Sequence, residues 1–163
     1  GQTYSRTRAR IIMMVIRDLA QRDKEDYIAM AEKFYSSPAV LSPIPRGYIE
    51  RAFDETVSGS PYAKALVAES GGKAVGYALL ALTYSQEAGG RVVWIDEVYV
   101  RPEARGLGAG SALIKETLAR YPAARCRLEL EPDNDGARRL YERLGFNPLP
   151  YVQMYRENKK SDE

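Results

Sequence analysis

The stretch Trp94-Ile95-Asp96-Glu97-Val98-Tyr99-Val100-Arg101-Pro102-Glu103-Ala104-Arg105-Gly106-Leu107-Gly108-Ala109-Gly110-Ser111 decides the fold. Residues 91–100 form the most β-prone run in the chain, and residues 101–110 are a glycine-rich loop. A helix is predicted from about Ser111 to Tyr121, with Leu113, Ile114, Thr117, Leu118 and Tyr121 as its buried stripe. Strand, glycine loop and helix in succession make an anion cradle. The first N–H groups of a helix have no partner and carry partial positive charge, and glycines let the backbone come close to a phosphate. Arg105 adds a guanidinium suited to phosphate oxygens.

Working outward, residues 62–69 and 74–84 read as two strands joined at Ser70-Gly71-Gly72-Lys73, and Ala88-Gly89-Gly90 turns the chain again. Before them come a strand over 11–17, a helix from Asp23 with Tyr27, Met30, Ala31, Phe34 and Tyr35 on one face, and a helix from about Pro45 carrying Tyr48, Ile49, Ala52 and Phe53. After the loop helix follow a strand over 126–131, a helix over 136–144 and a last strand over 151–155. This order predicts an α/β fold with a mixed, mostly antiparallel central sheet flanked by helices in one domain over 13–157. Residues 158–163 read as a frayed tail. Residues 1–12, with Arg6, Arg8 and Arg10 at alternate positions, read as a flexible basic arm or as residues preceding the native start.

Three phosphate-binding signatures compete for the loop. The P-loop requires Lys followed by Ser or Thr after the glycine run, and Ser111-Ala112 stands there instead. The dinucleotide fingerprint requires Gly or Ala three places after its second glycine, and the sequence offers Ser111 or Leu113. Glu129 lies at a suitable distance for the ribose, but antiparallel hairpins precede the loop where a parallel unit is expected. The third signature, Arg-x-x-Gly-x-Gly, is met by Arg105, Gly108 and Gly110.

That third signature resembles motif A of the GNAT superfamily of acyl-CoA N-acetyltransferases. A second segment, Asn134-Asp135-Gly136-Ala137-Arg138-Arg139-Leu140-Tyr141-Glu142-Arg143-Leu144-Gly145-Phe146, resembles its motif B, and residues 94–100 resemble its fourth strand. The Asp-Glu pair and the end of motif B look most like the small-amine branch, which includes spermidine/spermine acetyltransferases. The resemblance implies splayed fourth and fifth strands, with acetyl-CoA as co-substrate lying in the gap. It implies pairing of the pantetheine arm with Val98 and Val100, an oxyanion donor at the Val98 amide, and pyrophosphate on Arg105, Gly106, Gly108, Ala109, Gly110 and Ser111.

The site residues carry two readings each. Tyr141 is the candidate acid for the departing thiolate, since a phenol of pKa ~10 matches a thiol in basicity. It also shares a helix face with Ala137, Leu140 and Leu144, which is a core position. The resemblance implies that Asn134 hydrogen-bonds the pantetheine amides; the residue also suits a helix cap, with Asp135 competing for that place. Asp96 and Glu97 are candidate bases, directly or through a water, or solvated strand charges. On a regular strand they face opposite ways, Glu97 with Ile95 and Tyr99, Asp96 with Trp94, Val98 and Val100, unless a bulge intervenes. In the small-amine branch a glutamate holds the place of Asp96, which is a departure. Glu129 and Glu131 share a face of the fifth strand, as substrate-side lining or as surface charge. Tyr35, Tyr48 and Tyr84 read as acceptor-site walls or as core and surface positions.

Composition narrows the chemistry further. The chain of 163 residues has no histidine, which removes Ser-His and Cys-His catalysis and histidine-ligated metal, and no metal is expected. Cys126 is the one cysteine, so no internal disulfide forms; it is expected to be buried and inert, and a reducing cytoplasm is the expected compartment. A net charge of +2 does not suggest a nucleic-acid binder, and no apolar run approaches the ~20 residues of a membrane span. The expected function is transfer of acetyl from acetyl-CoA to a primary amine of a small molecule or peptide in a ternary complex. A non-catalytic acyl-CoA-binding module shares the loop and Asn134; Tyr141 and the carboxylate pair favour the enzyme. Exposed strand edges make a homodimer the default assembly.

Overall fold

The structure is a computed structural model that describes residues 14–158; the N-terminal arm and all of the tail beyond Asn158 lie outside the described residues. The elements are β1 (Met14–Asp18), α1 (Lys24–Tyr35), α2 (Arg46–Val57), β2 (Ala63–Ser70), β3 (Lys73–Ser85), β4 (Gly90–Val100), α3 (Ala109–Arg120), β5 (Arg125–Leu128) and α4 (Asp135–Arg143). The five strands lie in one sheet in the order β1-β2-β3-β4-β5, antiparallel except for the last, parallel pair.

Both faces of the sheet are covered, so β2 reads as a continuous apolar run, Ala65-Leu66-Val67-Ala68, with all four residues buried. Alternate residues go to different layers. Ala65 and Val67 join Tyr27, Met30, Ile49, Phe53 and Tyr77 under α1 and α2. Leu66 and Ala68 join Ala78, Leu80, Leu113 and Ile114 under α3. The predicted stripe of α1 is buried except for half-buried Tyr35. In α3 the stripe holds at Leu113, Ile114 and Thr117, while Leu118 is exposed and Tyr121 half-buried. Arg17 of β1 makes a bidentate pair with buried Asp23, 2.8 Å on each side, whose carboxyl it holds below the usual value. That pair ties the sheet edge to the start of α1. Among the described residues no helix is long and apolar enough to cross a membrane.

Two features of β4 set up the site. Its register against β3 shifts by one residue, with Leu79 opposite Glu97 and Leu80 opposite Ile95, so Asp96 is the extra residue of a β-bulge. Ile95 therefore packs on the α3 side while Tyr99 packs under α1. The expected sharing of one face by Ile95, Glu97 and Tyr99 is corrected by this bulge. The approach of β3 to β4 is also very close at Gly76, where a Cβ would stand 2.7 Å from the Tyr99 carbonyl oxygen.

The last predicted strand does not form. Residues 151–155 are exposed and outside any ladder, with Val152 and Met154 above nine-tenths exposure. The alternation there is strand-like, but the chain reaches it through Pro148 and Pro150, which have no N–H to donate to a neighbour. A cavity of about 730 Å³ lies between it and β5. The fifth strand itself stops at Leu128, short of the expected Glu131.

Candidate active site

The β4–β5 ladder ends at the pair Ile95 and Leu128, whereas β3 stays paired with β4 to Val100. Past Ile95 the two parallel strands part, as expected. A cleft of about 610 Å³ opens in the fork. Asp96, Glu97 and Val98 form one wall, and Glu129, Leu130 and Glu131 the other. Asn134, Ala137 and Tyr141 of α4 close one end, and Tyr35 with residues 39–42 closes the other. The lining holds four carboxylates and no lysine or arginine.

Glu97 is 9% exposed and both of its oxygens are taken. Tyr77 donates its hydroxyl to Oε1 and Tyr35 to Oε2, each at 2.8 Å. Burial raises the Glu97 pKa; the two phenol hydrogen bonds oppose that shift and neighbouring Asp96 adds to it. Asp96, the bulged residue, presents its side chain to the cleft, and its carboxyl is raised by desolvation and by repulsion from Glu129. Both carboxylates border the same cleft, Glu97 buried and Asp96 exposed.

Tyr141 occupies a core position and also borders the cleft. Its ring packs edge-on against Phe146 at 6.0 Å and against the α3-side core, while its side chain lines the cleft as well as the cavity behind α4. Burial raises its pKa. Asn134 caps α4, its Oδ1 accepting from the Ala137 N–H at 3.1 Å, and it borders the cleft too. Asp135 is instead the first residue of the helix.

The glycine loop lies beyond the end of β4 and does not line the cleft. Gly106 and Gly108 have φ of +79° and +83°, with open space where a Cβ would point, and Gly108 opens α3 in the left-handed conformation. Ala109 is buried. Gly110 approaches Leu140 of α4 and Val100, which places the N-terminus of α3 beside the motif B helix. The Arg105 Nε donates to the Val100 carbonyl at 3.0 Å and its guanidinium lies over the Tyr99 ring at 5.9 Å, so Val100 meets Arg105 rather than standing free.

Three comparisons bear on this arrangement. The family model described as "Acetyltransferase (GNAT) family" matches residues 19–146. The chain is 31% identical over 150 residues to a thialysine N-epsilon-acetyltransferase of Bos taurus, covering 85% of this chain and 78% of the relative. The chain belongs to the GNAT acetyltransferase family. As a member it is an acetyl-CoA-dependent N-acetyltransferase. In fold it matches an aminoglycoside N-acetyltransferase, AAC(6')-Iy, in complex with CoA, with a TM-score of 0.75 at 18% identity over 93% of this chain and 99% of that one. A possible acetyltransferase from Clostridium difficile 630 gives a TM-score of 0.78 at 18% identity, covering 91% of this chain and 99% of that one.

The remaining expected residues of the acetyltransferase fall as follows. Glu129 and Glu131 come after β5, and both line the cleft, Glu129 exposed and Glu131 half-buried. Tyr84 is exposed, and Tyr48 lies on α2 with Arg51 over its ring; neither borders the cleft. Cys126 is half-buried instead of fully buried, with burial pushing its thiol up to about 11, well away from a reactive thiolate. The contribution of Tyr77 is one that sequence reasoning missed. Its position in β3 gives it a core parity, and no local signal announces that the Asp96 bulge brings Glu97 to it.

Proposed function

We propose that this acetyltransferase moves the acetyl group of acetyl-CoA to a primary amine by direct attack within a ternary complex, with no acyl-enzyme intermediate. The observation that carries this reading is the fork between β4 and β5, which gathers Val98, two carboxylates and Tyr141 around one cleft. In this reading the Val98 N–H stabilises the oxyanion, a role that requires only a well-placed donor. Tyr141 protonates the thiolate as it leaves, and Asp96 and Glu97 serve deprotonation and attraction of the ammonium. Holding both substrates in line supplies several kcal/mol without a protein nucleophile.

The loop suits a pyrophosphate. Gly106 and Gly108 leave open backbone, the first N–H groups of α3 follow, and Arg105 supplies a guanidinium beside them. In this reading Arg105, Gly106, Gly108, Ala109, Gly110 and Ser111 hold the phosphates, and Asn134, Val98 and the Val100 N–H hold the pantetheine arm, since the Val100 carbonyl is engaged by Arg105.

The acceptor is a cationic amine of a small molecule or peptide. Four carboxylates without a basic partner in the lining favour positive charge. Relatives and structural neighbours named for thialysine and aminoglycosides support a small amine. The test is a calorimetric titration with acetyl-CoA beside NAD and ATP, followed by CoA thiol release with thialysine, neamine, butylamine and ethylenediamine. Selective acetyl-CoA binding and turnover of at least one amine are expected. Binding without release of CoA above background for any amine would make the chain an acyl-CoA-binding module.

A further inference from the structure

Glu97 is better shielded than neighbouring Asp96, being buried where Asp96 is exposed. Of its two phenol partners, Tyr77 is fully buried, beneath the Tyr27 ring at 5.0 Å, and has no route to a substrate. Tyr35 is half-buried at the C-terminal end of α1 and lines the cleft. Each phenol occupies one carboxylate oxygen at 2.8 Å, which leaves little of Glu97 for a bulky ammonium to reach directly.

Resting on the acetyl-transfer reading, we propose that Tyr35 is the residue that contacts the acceptor ammonium, and that the proton leaves through its hydroxyl to Glu97. The ammonium N–H bond breaks and a new O–H bond forms on Tyr35 as its own proton passes to Glu97 Oε2. The freed nitrogen lone pair attacks the thioester carbon and the C–S bond breaks. Over the whole reaction the nitrogen sheds two protons. One travels this path and is released to water, returning Glu97 to its carboxylate; the other balances the proton that Tyr141 gives to the thiolate. Tyr77 is a positioning residue that holds the carboxylate toward Tyr35.

The surroundings of the pair agree with a relay in which no tyrosinate forms. Burial and the Glu97 charge raise the Tyr35 phenol above its ordinary range, so its proton leaves only as another arrives. Glu97 is made more basic by burial and by Asp96, while the Tyr35 and Tyr77 hydrogen bonds oppose that shift. Tyr27 of α1 senses the same charge, and Glu129 and Glu131 stand across the cleft. Asp96, exposed and without a phenol, is left to attract the cation.

The experiment measures kcat/KM against pH for butylamine, and for any other monoammonium substrate of the panel that turns over, by CoA thiol release, for wild type, Tyr35→Phe, Glu97→Gln and the double variant. The wild-type profile should level off near neutral pH. Each single variant should fall about 10²-fold there, then rise tenfold per pH unit toward the amine's own pKa, ~10.4 for a lysine-like group. The double variant should be no slower than the worse single one, because the two groups act as one path. The KM for acetyl-CoA should not move, which also reports that the variants are folded. Asp96→Asn should instead raise the amine KM. An active wild type with a Tyr35→Phe profile parallel to it overturns the relay and leaves acetyl transfer standing. A wild type that releases no CoA with any amine overturns the transfer reading, and the relay with it.

Discussion

The two flanks of β4 are built to different ends. Against β3 it is paired from Gly90 to Val100, over a layer in which Tyr27, Phe53 and Tyr77 are at most 1% exposed. Against β5 it is paired at four positions only, and α4, which borders that flank, has no fully buried residue. The first flank is a packed interior where side chains fill space. The second is an interior left unfinished, and the unpaired end of the fork is where a long, narrow ligand finds room. Parallel strands part at little cost here because the β5 ladder is short and, among the described residues, no strand closes its far side.

The sharpest way to break this contrast is to hollow each flank. Phe53→Ala should cost about 3–5 kcal/mol, because a fully buried ring is lost and a cavity remains. Phe146→Ala, on the half-buried side, should cost clearly less. Urea midpoints of the two variants test this, and equal losses would mean that the open flank is as tightly packed as the other.

Activity should respond in the opposite sense. Tyr141→Phe keeps the contact with Phe146 and removes only the hydroxyl, so stability should stay near wild type while kcat falls about 10²-fold and acetyl-CoA affinity holds. Steady-state kinetics with calorimetry separate these, and turnover at the wild-type rate would remove Tyr141 from the chemistry.

A smaller effect is expected where the closed flank is tightest. In Gly76→Ala the new methyl meets the Tyr99 carbonyl at 2.7 Å, which is backbone and cannot swing aside. A loss of about 1–3 kcal/mol should appear in chemical denaturation. An unchanged midpoint would show that β3 and β4 shift apart freely there.

The mildest expectation concerns pH. Burial holds the Glu97 carboxyl above its ordinary 4.5, so between that value and the raised one the folded chain binds more protons than the unfolded chain. Stability therefore falls as pH rises through that window. Glu97→Gln removes this titration, and its unfolding midpoint should vary less over the same interval. A slope like that of wild type would place the titrating group elsewhere.

Much of this molecule is legible without coordinates, and the reason is locality. Helical spacing marks Tyr27, Met30, Phe34, Ile49 and Phe53 as interior, and short β-prone apolar runs between glycine turns mark β2, β3 and β4. The order of elements then selects the sheet. Arg105, Gly108 and Gly110 announce an anion loop because a backbone cradle imposes its residue types on a few consecutive positions. Asn134 likewise announces a helix start. Where local pattern misled, at residues 151–155, the alternation was present but no neighbour paired with it, and Pro148 and Pro150 stand just before it.

Only the tertiary structure decided what surrounds Glu97. A strand's parity is fixed by its own residues, but a bulge depends on the register with a partner strand, and the one at Asp96 sends Glu97 to Tyr35 and Tyr77, 62 and 20 residues away in the chain. The termination of the β4–β5 ladder at Ile95 is equally non-local, as is the meeting of α1 and α4 across the cleft. Residue types and short periods are written in consecutive positions; a proton path made of α1, β3 and β4 exists only once the sheet has set their register.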